Sequence, residues 1–170
     1  HDVVAKLRGI LKQKKIGHTG TLDPQAQGVL PVCLGKGTKL CDLLADHDKE
    51  YEAVLRLGIT TDTQDMEGTI LKESSVQVSE EEVRTCILSF QGEQQQVPPM
   101  YSALKVNGKK LYELAREGKV VERKARPVTF HNIEVLWMEL PKVKIRVQCS
   151  KGTYIRTLCN DIGEKLGCDG

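Results

Sequence analysis

Aromatic residues are scarce in this chain. One Trp, two Phe and four Tyr make up 4% of its 170 residues, so any surface that stacks on flat ligands rests on a few named rings. A strong excess of charge of one sign is missing too: 25 Lys and Arg against 23 Asp and Glu leave a net +2. That balance permits a nucleic-acid partner without demanding one. No apolar run nears membrane-spanning length, and no signal-peptide pattern opens the chain. Its six cysteines, Cys33, Cys41, Cys86, Cys149, Cys159 and Cys168, form no C-x-x-C pair, and no His stands at zinc-finger spacing from them. They read as buried, reduced thiols of a cytoplasmic protein, with no metal or cofactor expected. Gly35-Lys-Gly37 lacks the third glycine of a dinucleotide fingerprint, no Walker A sequence is present, and Asp62, Asp65 and Glu67 fall short of an EF-hand ligand set. Ser, His and Asp occur in no recognisable nucleophile elbow.

What is present suits one domain. Val3, Val4, Leu7, Ile10 and Leu11 predict an amphipathic helix over 2–14. Residues 28–34 read as a buried strand and 39–45 as a short helix. Alternation predicts a strand over 51–57, followed by a polar loop at 60–68 and a short strand at 69–72. Ser79-x-x-Glu82 is a capping-box signature that starts a helix over 79–90. Gln94-Gln-Gln-Val-Pro-Pro99 reads as a breaker. A strand over 101–106, a tight turn at Asn107-Gly108 and a short helix over 110–116 closed by Gly118 follow. Two alternating runs at 127–138 and 142–149 precede a helix at about 153–166. Several strands and helices without regular βαβ alternation imply an α+β fold with a mostly antiparallel sheet. The chain begins at His1 and stops soon after a helical pattern, so both ends read as cuts in a longer protein.

The most informative stretch is Gly17-His-Thr-Gly-Thr-Leu-Asp-Pro24. An Asp before Pro is ordinarily a turn residue. The flanking Gly17, Gly20 and Gly28 allow close backbone approach to a ligand, which makes Asp23 a candidate nucleophile or base. Ser150-Lys-Gly-Thr-Tyr-Ile-Arg156 closes a strand and opens a helix, whose free N–H groups favour anions. There Arg156 can pair with a carboxylate and keep it ionised, or serve only as a surface cation. Tyr51 and Tyr154 read as half-buried packing residues or as flat rings for an unstacked base. From 101 to 126, Lys105, Lys109, Lys110, Arg116, Lys119, Arg123, Lys124 and Arg126 face only Glu113, Glu117 and Glu122. Such an excess suits a phosphate backbone or a merely solvated face.

These pieces, in order, resemble the TruB-type tRNA pseudouridine synthases of bacteria. Lys15-Ile-Gly-His-Thr-Gly-Thr-Leu-Asp-Pro24 with Gly28-Val-Leu-Pro-Val32 is similar to that family's catalytic-Asp motif. Lys49-Glu-Tyr51 with Leu57-Gly-Ile-Thr-Thr-Asp-Thr63 is similar to its next block. Gln96-Val-Pro-Pro-Met-Tyr-Ser-Ala-Leu-Lys-Val-Asn-Gly-Lys109, with Tyr112–Arg116 and Arg126-Pro-Val128, resembles its RNA-clasping insertion. Ser150–Leu158 resembles its arginine motif. Four ordered blocks are far more specific than one.

The resemblance implies a pseudouridine synthase catalytic fold, incomplete at both ends over 1–170, with an RNA-binding insertion at 98–126. It implies isomerisation of uridine to pseudouridine at position 55 in the T arm of tRNA, by base flipping and without a cofactor. The base leaves C1′ through N1, turns and rejoins through C5. Asp23 is then the nucleophile, held ionised by Arg156, and Tyr51 stacks on the uracil and can accept the C5 proton. Tyr154 lines the pocket and His18 borders the space the flipped base vacates. Lys15, Thr21, Lys105 and Lys151 are expected RNA contacts. A full-length monomer without membrane attachment is expected. Alternatives are a guide-RNA-dependent rRNA pseudouridine synthase, a catalytically silent tRNA chaperone and a plain α+β interaction domain.

Overall fold

The first helix ends where its apolar pattern does, at Leu11. The computed structural model describes residues 2–170, which fall into two compact units, His1–His47 and Asp48–Gly170. In the first, α1 spans Asp2–Leu11 rather than 2–14. Lys12 turns to a positive φ of 49°, which a helix cannot continue through, and Arg8 Nε donates to the Lys14 carbonyl at 3.1 Å. The expected strand over 28–34 shrinks to β2 (Val32–Leu34), antiparallel to β1 (Ile16–His18). A three-residue partner satisfies only three residues, and Pro31 has no N–H to extend the ladder. Its carbonyl instead accepts from Thr19 N at 3.2 Å. The run is not buried: Val29 is 90% exposed. A 3-10 turn over Gly35–Leu40 leads into α2 (Cys41–Ala45). A Cβ on Gly17 would stand 2.7 Å from Cys41 Sγ, so a larger residue there would force the Cys41 side chain to move.

The second unit is built on one antiparallel sheet. Its strands are β3 (Lys49–Arg56), β6 (Gly92–Gln96), β9 (Arg126–Glu139) and β10 (Lys142–Cys149), in the spatial order β3-β10-β9-β6. Alternation decides its faces. Val143, Ile145, Val147 and Cys149 point inward, where α3 (Glu80–Leu88) and α5 (Ile155–Leu166) cover them with Val83, Ile87, Leu158 and Ile162. Each such fully buried side chain stabilises the fold by about 1.5–3 kcal/mol relative to exposure. On the opposite face charges pair across strands. Lys144 meets Glu52 at 2.7 Å, and Arg146 meets Glu52 at 2.9 Å and Glu134 at 3.0 Å. The hydrogen bonds from Lys144 and then Arg146 hold the Glu52 carboxyl below its ordinary range.

The capping box forms as expected, with Ser79 accepting from Glu82 N and Glu82 accepting from Ser79 N. Gly167, at φ 72°, closes α5. The strand expected over 69–72 forms as β5 (Ile70–Glu73), and the first residues of the loop expected over 60–68 pair with it as β4 (Ile59–Thr61). The segment over 94–99 is no simple breaker, because Gln94–Gln96 complete β6, paired in register with Val128, Pro127 and Arg126. Glutamine is not among the residues enriched in strands, and cross-strand bonding to β9 decides its conformation here. Between β6 and β9 the chain makes an excursion. The expected strand over 101–106 is reduced to β7 (Lys105–Val106), joined by Asn107 and Gly108, both at positive φ, to β8 (Lys109–Lys110). That is the dihedral pattern of a tight hairpin turn. α4 (Leu111–Arg116) follows, and Met100, Leu111 and Leu114 form a small core of their own. The chain is therefore α+β, with every strand pair among the described residues antiparallel.

Candidate active site

In the first unit, β1 and β2 form the two sides of a hairpin whose connection, 19–31, carries Asp23. Thr19 N bonding to Pro31 O closes its root, and Ala26 N donates to Asp23 O at 2.9 Å to tighten the turn. Asp23, Thr21 and Lys15 are exposed. His18, on β1, is half-buried, and its Nδ1 donates to the Gly20 carbonyl. A carbonyl only accepts, so that bond assigns the proton to Nδ1 and leaves Nε2 as an acceptor when the ring is neutral.

The second unit holds the other expected residues. Tyr51 lies on β3 opposite Val147 of β10, half-buried against the core. Tyr154 is the N-cap of α5 and Arg156 its second residue. Lys151 is exposed in the turn before them, and Lys105 is exposed on β7. Tyr51 thus belongs to β3, and Tyr154 and Arg156 to the start of α5, whereas Lys105 belongs to the excursion. Asp23, His18, Thr21 and Lys15 belong to the hairpin of the first unit.

Arg156 is held by groups that composition and spacing do not reveal. Its Nη1 donates to Thr63 O at 2.7 Å and its Nη2 to Tyr101 O at 3.1 Å, and Asp65 Oδ2 lies 3.5 Å from Nη1. Asp65 is itself fixed, accepting from Thr63 Oγ1 at 2.6 Å and Glu67 N at 3.0 Å. Gly68 packs against this loop so tightly that a Cβ would stand 2.6 Å from Asp62 Oδ1. By sequence Asp65 belongs only to a failed calcium motif, since nothing in Thr60-Thr-Asp-Thr-Gln-Asp65 signals a long-range arginine partner. Arg156, Gln64, Asp65, Met66, Ile155 and Cys159 help line a cavity of about 200 Å³. Burial, then the charge of Asp161, push the Cys159 thiol up to about 12, so it is a neutral wall and not a nucleophile. The six thiols are all free: Cys86, Cys149 and Cys168 are buried, while Cys33, Cys41 and Cys159 are only partly so.

Nothing in the block that Gln96 opens signals its partner either. Gln96 is 3% exposed, and its side-chain amide bonds both backbone polar groups of Tyr154. Among the described residues, no group of three or more His, Cys, Asp or Glu is placed to hold a metal ion. No helix among them is long and apolar enough to cross a membrane.

Comparison with known proteins gives a consistent result. The family model described as TruB family pseudouridylate synthase (N terminal domain) matches residues 8–155. The chain is 60% identical over 167 residues to tRNA pseudouridine synthase B of Clostridium novyi, covering 98% of this chain and 58% of that protein. It is 62% identical over 177 residues to tRNA pseudouridine synthase B of Lachnoclostridium phytofermentans, covering 99% and 58%. The chain thus spans little more than half the length of the curated relatives it matches. Among solved structures it is similar to a chain of a Cbf5-Nop10-Gar1 complex, with TM-score 0.75 and 35% identity, covering 99% of this chain and 41% of that one. It is also similar to a chain of an H/ACA RNP bound to a substrate RNA containing 2'-deoxyuridine, with TM-score 0.70 and 31% identity, covering 99% and 39%.

Proposed function

The chain belongs to the TruB family of pseudouridylate synthases, and from that premise we propose that the protein it comes from isomerises uridine to pseudouridine in the T arm of tRNA, at position 55. The observation that carries this reading is the near-complete, high-identity match to tRNA pseudouridine synthases, set against lower identity to the H/ACA assemblies. In this reading Asp23 is the nucleophile, and Arg156 keeps its carboxylate ionised and aimed. Tyr51 stacks on the flipped uracil and is the candidate acceptor of the C5 proton. Tyr154 lines the pocket, and His18 fills the space the base leaves. Lys15, Thr21, Lys105 and Lys151 contact the RNA, where each phosphate neutralised by a lysine strengthens binding in a salt-dependent way. No cofactor takes part. The full-length protein acts as a cytoplasmic monomer.

The test uses the full-length protein and an unmodified T-arm stem-loop, with no guide RNA added, followed by carbodiimide labelling of pseudouridine. Product at the T-loop uridine is expected. Absence of product overturns the reading, and product only on addition of a guide RNA transfers it to the guided class. Binding and refolding of tRNA without any product assigns the protein instead to a silent chaperone.

A further inference from the structure

Gln96 is a buried polar side chain at the last position of β6, where the chain leaves the sheet for the excursion over 98–126. A buried amide needs partners for both its oxygen and its nitrogen. It finds both on one residue 58 positions away: Tyr154 N donates to Gln96 Oε1 at 2.8 Å, and Gln96 Nε2 donates to Tyr154 O at 3.0 Å. The orientation of the amide follows from the partners, because a backbone N–H only donates and a carbonyl only accepts. Tyr154 is the N-cap of α5, and no side chain of its own caps the helix. Its N–H has no intrahelical acceptor. Gln96 therefore fixes the peptide groups on both sides of the Tyr154 Cα, and with them the direction in which the Tyr154 ring and the first turn of α5 point. Arg156 lies in that turn. Its Nη2 bond to Tyr101 O runs to the same excursion that Gln96 begins.

We propose that Gln96 is a positioning residue for the isomerisation, a two-point clamp that holds Tyr154 and Arg156 in register with the root of the 98–126 excursion. It acts through Tyr154 and touches no reacting atom. The proposal rests on the activity proposed above and adds to it a residue whose chemistry is specific: the clamp requires one acceptor and one donor on a planar group. A carboxylic acid supplies the same pair, whereas a carboxylate can only accept and repels the Tyr154 carbonyl. A carboxyl at this buried position resists ionisation.

The test is single-turnover pseudouridine formation and stem-loop affinity in the full-length protein, for wild type, Gln96→Ala and Gln96→Glu, between pH 5.5 and 8.5. Gln96→Ala is expected to slow turnover by about 10- to 100-fold while the Kd for the stem-loop stays within about twofold of wild type, as expected when an interaction is lost in the transition state alone. The rate of Gln96→Glu relative to wild type is expected to approach unity at low pH, where the new carboxyl is protonated. It should fall as pH rises through that carboxyl's raised pKa. A Gln96→Ala rate within twofold of wild type, a rate and affinity that weaken in parallel, or a pH-independent Gln96→Glu ratio would each overturn the proposal. Should Gln96→Ala show no cooperative melt, the pH dependence of the Gln96→Glu ratio decides alone. A wild type that makes no pseudouridine rejects the underlying activity, whereas an active wild type with unaffected variants rejects the clamp only.

Discussion

The two units differ in what holds their candidate site residues. In the first, Asp23 sits on the connection of a hairpin with three-residue strands, and among the described residues only Val4, Ile16 and Thr19 are buried. In the second, Arg156 stands at the start of a helix packed on a four-stranded sheet, with Leu55, Phe130, Ile145, Val147, Leu158 and Ile162 almost fully buried. Asp23 is thus placed by a few backbone hydrogen bonds and by turn chemistry, and Arg156 by a cooperative core. The expected consequence is a division of labour in mutational effects. Changes in the first unit alter chemistry with little effect on stability, while changes in the second alter stability, chemistry or both.

The sharpest way to break that comparison is Asp23→Asn. It should reduce pseudouridine formation by ~10³-fold or more, as expected for loss of a nucleophile, with an unchanged melt and retained stem-loop binding; a large drop in stability would mean that Asp23 is a structural turn residue. Next comes a pair of truncations read by urea denaturation. Ile145→Ala should cost ~2–5 kcal/mol, since Ile145 is 0% exposed. Val29→Ala should stay within ~0.5 kcal/mol, and a comparable cost at the two positions would erase the contrast. Arg156→Lys keeps the charge but loses the planar fork that reaches Thr63 O, Tyr101 O and Asp65 together. A ~10- to 100-fold slower single-turnover rate is expected, and an unimpaired Lys variant would show that charge alone matters.

Two smaller effects probe the second unit alone. Burial, and then the charge of Glu164, raise the Asp161 carboxyl to about 6. A carboxyl whose folded pKa exceeds its unfolded one near 3.8 stabilises the fold fully below pH 3.8, and that contribution is lost as pH rises through about 6. Asp161→Asn should therefore gain stability over wild type between pH 5 and 8, by ~1 kcal/mol once solvent screening of the half-buried group is allowed for. Melts at the two pH values check the sign. Ser79→Ala removes the cap accepting from Glu82 N and should cost about 1 kcal/mol or less; Ser79→Gly should recover most of it in the same melts.

Local signals are legible where one residue type decides local geometry. Ser79 with Glu82, Asn107 with Gly108, Gly118 after α4 and Gly167 after α5 each stand where capping and turn chemistry put them. Alternation over 127–138 and 142–149 is legible because a half-buried sheet imposes a period of two. The failures share a cause. Gln94–Gln96 form a strand only because β9 lies beside them, and 28–31 fail to form one because β1 is too short to pair with them. Arg156 is visible within Ser150–Leu158 and Gln96 at the head of the block that runs to Lys109, but the pairings of Asp65 and Gln96 are not. Each works through a partner 58 to 91 positions away along the chain.

By itself the sequence determined the family and the α+β class, and it named the candidate residues of the site. Those follow from ordered motifs and from periodicities that the backbone enforces locally. Only the tertiary structure decided that Arg156 is held by Asp65, Thr63 O and Tyr101 O, and that Gln96 grips both polar groups of Tyr154. Buried donors and acceptors must find partners wherever the fold brings them. That pairing is set by the packing of α5 on the sheet and by the path of the excursion, not by any spacing along the chain.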